Sequence, residues 1–265
     1  MSRPILAPVL IIVLGATACD FGKEPTRKLL DAISTGDVTE VQRLLPKIKQ
    51  INAPDAFDGA VYLHRMAGSG DPEMLKRLVA RGGDRGARLR IAELLLDKGA
   101  DLKAAMRDGS TPLHLAARSG DAEMIAFLVA KGADQKAMDM DGHTPLHVAV
   151  LFGDVPAAAE SLIQLGSELG ARDKEGCTVL HLVARVKAED EAMAELLLRR
   201  GADLRVADKD GQTPLHEAYT TGGKENLIRL LIARGADPKV KDHQGRTPQA
   251  CAPAKDPGAS SSKTP

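Results

Sequence analysis

Four histidines recur in this chain at nearly constant intervals: His114, His147, His181 and His216. Imidazole is the usual general base near neutral pH and a frequent metal ligand, so this series is the first place to look for chemistry. Each histidine closes the same stretch. Asp141-Gly142-His143-Thr144-Pro145-Leu146-His147 returns as Asp108-Gly109-Ser110-Thr111-Pro112-Leu113-His114 and as Glu175-Gly176-Cys177-Thr178-Val179-Leu180-His181. It returns again as Asp210-Gly211-Gln212-Thr213-Pro214-Leu215-His216, with a worn copy at Asp58-Gly59-Ala60-Val61-Tyr62-Leu63-His64 and a fading one at Gly245-Arg246-Thr247-Pro248. From Thr111 to Thr144, Thr178, Thr213 and Thr247 the steps are 33, 34, 35 and 34 residues, the period of a repeat solenoid. Stacked repeats stand about 10 Å apart, whereas a metal holds its ligands at about 2 Å. The histidines therefore belong to the scaffold. Cys177 and Cys251 have no Cys or His at ligand or nucleophile spacing, and three scattered cysteines form no disulfide framework. The expectation is no catalytic residue, no metal and no cofactor.

The repeated stretch is mechanical. Asp-Gly makes a turn in which Gly takes a positive φ. Thr is a helix N-cap, and Pro fits the first helical position, where no N–H is needed. Leu113, Ala116 and Ala117 and their counterparts form a narrow apolar stripe that lets paired helices approach closely. A second helix follows in each unit, ending on Gly132, Gly166, Gly201 or Gly235 as a left-handed C-cap. Composition agrees: aromatics are only 2%, too few for one large core but suited to short helices each burying a little against its neighbours. Lys plus Arg and Asp plus Glu stand at 36 each, which gives no basic excess for nucleic acid.

The Asp-Gly-x-Thr-Pro-Leu-His stretches, with their Gly-Ala-Asp endings at 132–134 and 201–203, resemble the ankyrin repeat over residues 25–254. The resemblance implies an all-α repeat solenoid of helix-turn-helix units with β-hairpin fingers on one edge. First helices would line a concave face, second helices would lie outside, and the His would bond the Thr and neighbouring backbone. It also implies a non-catalytic, protein-binding role, and the array is expected to be monomeric.

The expected units are about 25–57, 58–84, 107–139, 140–173, 174–208 and 209–241, with a cap at 242–254. Between the second and third the rhythm breaks. Residues 88–98 read as a second helix, yet no first helix and no Thr-Pro-Leu-His precede them, so a half-repeat is missing near 84–88 and 85–106 is irregular. To keep neighbouring second helices parallel, residues 82–87 must recross about 16 Å of helix and shift sideways about 10 Å. Six residues reach at most about 20 Å. The easier geometry is an antiparallel hairpin that disrupts the stack locally; a deletion in the gene is the alternative.

The ends are of another kind. Residues 1–18 carry Arg3, a short apolar run from Ile5 to Ala16 and the small residues Ala16-Thr17-Ala18, which read as a signal peptide. Leading straight into Cys19, they resemble a bacterial lipoprotein signal, although Ala16 stands where that box usually has Leu. The resemblance implies acyl chains on Cys19, a tether over 19–24, and membrane anchoring facing the periplasm, with Asp20 favouring the inner membrane. A secretory signal cut after Ala18, leaving a soluble periplasmic or secreted protein, is the alternative. The Ser/Lys/Pro-rich tail 255–265 is too polar to join a core.

Where copies of a repeat differ, the scaffold leaves them free to differ. Most finger positions are polar, Arg172 and Lys174 among them. Repeat 4 departs: its finger carries Met138, Met140 and His143, and its first helix ends in Leu151-Phe152, where repeat 3 has Arg118-Ser119 and repeat 6 has Thr220-Thr221. Exposed Met and Phe suggest an adaptable apolar patch, although Leu151 and Phe152 could instead cover neighbouring helices. These seven residues are the candidate partner-binding set. The expected role is an envelope-anchored module that holds a protein partner. An immunity or inhibitor protein blocking a toxin or enzyme is the alternative, and an enzyme is the least favoured reading.

Overall fold

The computed structural model describes residues 24–48, 85–152, 156–186, 191–222 and 224–253. The signal segment, Cys19, repeat 58–84, residues 187–190 and the tail 255–265 lie outside the described residues. Eleven α-helices are described. In chain order they are α1 (Glu24–Thr35), α2 (Val38–Leu44), α3 (Arg85–Asp97), α4 (Pro112–Arg118), α5 (Ala122–Ala130), α6 (Pro145–Phe152), α7 (Ala157–Gln164), α8 (Val179–Arg185), α9 (Glu191–Arg199), α10 (Pro214–Thr221) and α11 (Glu225–Ala233). No described helix is long and apolar enough to cross a membrane.

From α4 onward the helices alternate between an inner and an outer row. Inner helices α4, α6, α8 and α10 pack on one another in sequence, and outer helices α5, α7, α9 and α11 cover them. The reason is local. Thr111, Thr178 and Thr213 sit in extended backbone as N-caps, and Pro112 and Pro214 open their helices. Buried Leu113, Ala116 and Ala117 face buried Met124, Ile125 and Leu128 across the repeat. The pattern repeats with Leu180, Val183 and Ala184 against Met193, Ala194 and Leu197. The outer helices end at Gly132, Gly166, Gly201 and Gly235, all with φ between 92° and 100° as their C-cap role requires. The final unit shrinks to the 3₁₀ turn Pro248–Cys251, which packs against α10.

The expected β-hairpin fingers are tight turns, and no strand occurs among the described residues. Each finger closes only two backbone bonds of its own, such as Asp139 N–H to His143 O and Gly142 N–H to Asp139 O, both 3.0 Å. Successive fingers are then linked through single bonds: Met140 N–H to Asp108 O, Lys174 N–H to Asp141 O, Lys209 N–H to Glu175 O and His243 N–H to Asp210 O. One bond per junction stacks turns without making a ladder. It also explains the invariant Gly: a Cβ on Gly142 would stand 2.7 Å from the Lys174 nitrogen.

The irregular segment is a second-type helix, as the sequence predicts. In α3, the fully buried Ile91, Ala92 and Leu95 lie one period before Met124, Ile125 and Leu128. Helix α2, the outer helix of the first repeat, packs directly on α3, so these two are neighbours in the stack. Arg88 occupies the place one period before Asp121, the N-cap of α5. Its guanidinium reaches forward to that carboxylate at 2.5 Å, with both side chains 7% exposed. Lys131–Glu93, at 2.9 Å, ties the other ends of α5 and α3 together.

Candidate functional site

The histidines form the frame on which any site must sit. His114 Nδ1 accepts the Thr111 backbone N–H at 3.2 Å and lies 2.8 Å from the Thr111 hydroxyl. A backbone N–H can only donate, so Nδ1 carries no proton and Nε2 does. That Nε2–H donates to the carbonyl of His143 in the next finger at 2.9 Å. The arrangement recurs with His147 to Cys177 O at 3.4 Å, His181 to Gln212 O at 3.1 Å and His216 to Arg246 O at 3.2 Å. Burial disfavours the imidazolium, so the pKa values of His114, His147 and His181 are lowered. Both nitrogens of each ring are committed, which leaves none to act as a base.

A second structural residue escapes the sequence reading. Asp139 Oδ1 accepts from the backbone N–H groups of Asp141 and His143 at 2.9 and 2.8 Å, pinning the finger from its base. Asp173, Asp208 and Asp242 do the same in their fingers and are buried. Their spacing of 34, 35 and 34 residues matches that of the Thr and was visible in the sequence. In repeat 3 the position is Met106, 40% exposed, and Ser110 N–H turns to Asp108 instead.

Of the candidate binding residues, Met138, Met140 and Phe152 are 55%, 62% and 51% exposed. They are the three most exposed of the six exposed large apolar side chains among the described residues. The Arg118 guanidinium lies 4.5 Å from the centre of the Phe152 ring, a cation–π contact between consecutive inner helices. Leu151 separates from its neighbour: it is half-buried and packed against the core. His143 is also half-buried. Its Nδ1 faces Asp139 at 3.5 Å and its Nε2 faces Asp173 of the next finger at 3.7 Å. Arg172 is exposed but hydrogen-bonds the Ala207 carbonyl, bracing two fingers. Lys174 is exposed, with its Cγ beside Gly142.

Two other features carry charge without opening a site. Cys177 is fully buried at the junction of repeats 5 and 6, near Asp208, Arg185 and Glu217. Burial pushes its thiol up to about 12, and Arg185 pairs with Glu217 at 2.5 Å, so the cluster already holds its cation. A shallow recess lined by Asp203, Arg205 and Arg234 lies at the outer-helix C-caps, away from the fingers. Its charges are paired as well, Arg205 with Asp203 at 3.0 Å and Arg234 with Glu195 at 2.6 Å.

The arrangement matches known proteins. A family model described as ankyrin repeats (3 copies) matches residues 63–173 and 152–242. The crystal structure of the ankyrin repeat domain of Bcl-3, a unique member of the IkappaB protein family, is similar, with a TM-score of 0.67 and 25% identity. The likeness covers 88% of this chain and 95% of that one. No curated protein matches the chain in sequence. With capped inner helices, stacked finger turns and a family match across most of its length, the chain belongs to the ankyrin repeat family.

Proposed function

We propose that this chain is a lipid-anchored ankyrin module of the bacterial envelope, and that it captures a protein partner through the finger and inner helix of repeat 4. Ankyrin repeats are protein–protein interaction modules, and the family is typically non-catalytic. The observation that carries the finer reading is the exposure of Met138, Met140 and Phe152 on one repeat. The copies place charge or hydroxyl at several of these positions, for example Arg107 opposite Met140 and Ser119 opposite Phe152. Desolvating flexible Met and a flat aromatic ring favours association, and the sulfur side chains adapt to the partner's shape. Arg118, over the Phe152 ring, adds a residue type enriched at interface hot spots.

The envelope address rests on residues 1–19, with Cys19 as the acylated residue. Two acyl chains give stable anchoring, each buried carbon contributing about 0.8 kcal/mol. Palmitate labelling of the whole chain, with Cys19→Ser as control, tests the anchor: label on both proteins refutes it. Affinity capture from detergent-solubilised membranes tests the module. A partner retained equally by the wild type and by Phe152→Glu would place its binding elsewhere.

A further inference from the structure

Repeat 4 carries one more feature, in side-chain atoms that neither the finger's backbone bonds nor the apolar patch uses. Asp139, Asp141 and His143 present ligand atoms that all lie within 4.8 Å of one another. His143 Nδ1 stands 3.5 Å from Asp139 Oδ2, beyond the reach of a good N–H···O bond. Two donors held about 2.0–2.1 Å from a tetrahedral ion stand about 3.4 Å apart, so this separation fits neighbouring ligands. Asp139 Oδ1 is occupied by two backbone N–H groups, which fix the carboxylate and leave Oδ2 facing the ring. Asp141 is exposed and free to turn its carboxylate inward.

The other ring nitrogen completes the pattern. His143 Nε2 faces Asp173 Oδ2 at 3.7 Å, and the Asp173 side chain is only 4% exposed. Once the two close to hydrogen-bond distance, a carboxylate behind the free nitrogen of a ligating imidazole fixes its tautomer and strengthens it as a donor. Charge points the same way: three carboxylates surround this one ring, and among the described residues no Lys or Arg forms an ion pair with Asp139, Asp141 or Asp173. The buried cluster at Cys177 differs in just this respect, because Arg185 already neutralises it.

We propose that the finger of repeat 4 is a binding site for a borderline divalent cation of the Zn²⁺ type. Asp139, Asp141 and His143 are its ligands, Asp173 orients the imidazole, and the remaining coordination position is left for water or a partner's group. Two carboxylates and one imidazole suit Zn²⁺ better than the all-oxygen preference of Ca²⁺ or Mg²⁺. A cation here would stiffen the finger that displays Met140, and its open position would accept a carboxylate from a docking partner.

The test is Zn²⁺ titration calorimetry on the full chain in detergent, without a polyhistidine tag, together with visible absorption of the Co²⁺ form. His143→Gln installs the residue that repeat 6 has at this position, Gln212, and Asp139→Asn keeps the acceptor oxygen for both backbone bonds. Both variants are therefore expected to melt, in the presence of chelator, where the wild type does. The expected result is one ion per chain with tetrahedral Co²⁺ bands. Binding should weaken at least about tenfold in either variant and about tenfold in Asp173→Asn. Absence of saturable binding, equal binding in both ligand variants, or loss in Cys177→Ala instead would overturn the proposal.

Discussion

His114 reaches out of its own repeat and donates from Nε2 to the backbone carbonyl of His143 at 2.9 Å. This single bond joins one unit's capped inner helix to the next unit's finger, and it is repeated along the array. Removing His181, whose partners are Thr178 and Gln212 O, leaves buried groups at both ends unsatisfied. His181→Ala should therefore cost about 1–3 kcal/mol, read as a lower urea midpoint with an unchanged slope.

The same rings set a pH dependence. His114, His147 and His181 have folded pKa values below the ordinary 6.5, so below pH 6.5 the unfolded chain binds protons that the folded chain does not. Their contribution to stability is full above that pH and is lost as pH falls through it toward the folded values. Urea midpoints should be level from pH 8 to 7 and decline toward pH 5. A midpoint that rises on acidification would contradict the assignment of Nδ1 as an acceptor.

Met106 occupies the place where other fingers have a pinning aspartate. Met106→Asp supplies an acceptor for the Asp108 N–H and should stabilise the array by about 0.5–1.5 kcal/mol, an increase visible in thermal melts.

Arg88 and Asp121 are a buried pair between α3 and α5. Arg88→Ala leaves the carboxylate uncompensated and should cost about 3 kcal/mol or more. Adding Asp121→Asn, which keeps the N-cap acceptor for Met124 N–H, should recover part of that loss. Additive losses in the double-mutant cycle would show that the pair is not coupled.

Cys177 should resist alkylation at pH 8 in the folded chain, because its thiol is fully buried and titrates near 12. Peptide mapping after brief iodoacetamide treatment checks this. Labelling of Cys177 at the rate of a free thiol would show that the junction of repeats 5 and 6 opens readily.

Much of this was legible because the chain states each rule several times. Comparing Thr144 and His147 with their copies separates scaffold from variation, and the C-cap glycines follow from helix geometry. The pinning aspartates carried an equally regular signal. Within a single copy Asp141-Gly142 already specifies a turn, so Asp139 stands out only when the copies are aligned. Other features depend on contacts that no single repeat encodes. Lys224 is buried with its ammonium on Val183 O at 3.0 Å and on Val186 O, at the C-terminal end of α8 in the preceding repeat. Leu151 and Phe152 are adjacent and equally apolar, yet only the stacking of neighbours turns the first inward and leaves the second exposed. The fingers resemble hairpins in sequence, but one bond per junction is too few to make strands.

The central claim is that repeat 4 divides into a scaffold of Thr144 and His147 and a binding face of Met140 and Phe152. Its most direct test is the Met140→Glu/Phe152→Glu double variant, assayed in parallel for partner capture from solubilised membranes and for melting temperature. Both side chains are more than half exposed, so the melting temperature should stay within about a degree or two of wild type, while capture is lost. Retained capture, or a melting temperature lowered as far as in His181→Ala, would contradict the account.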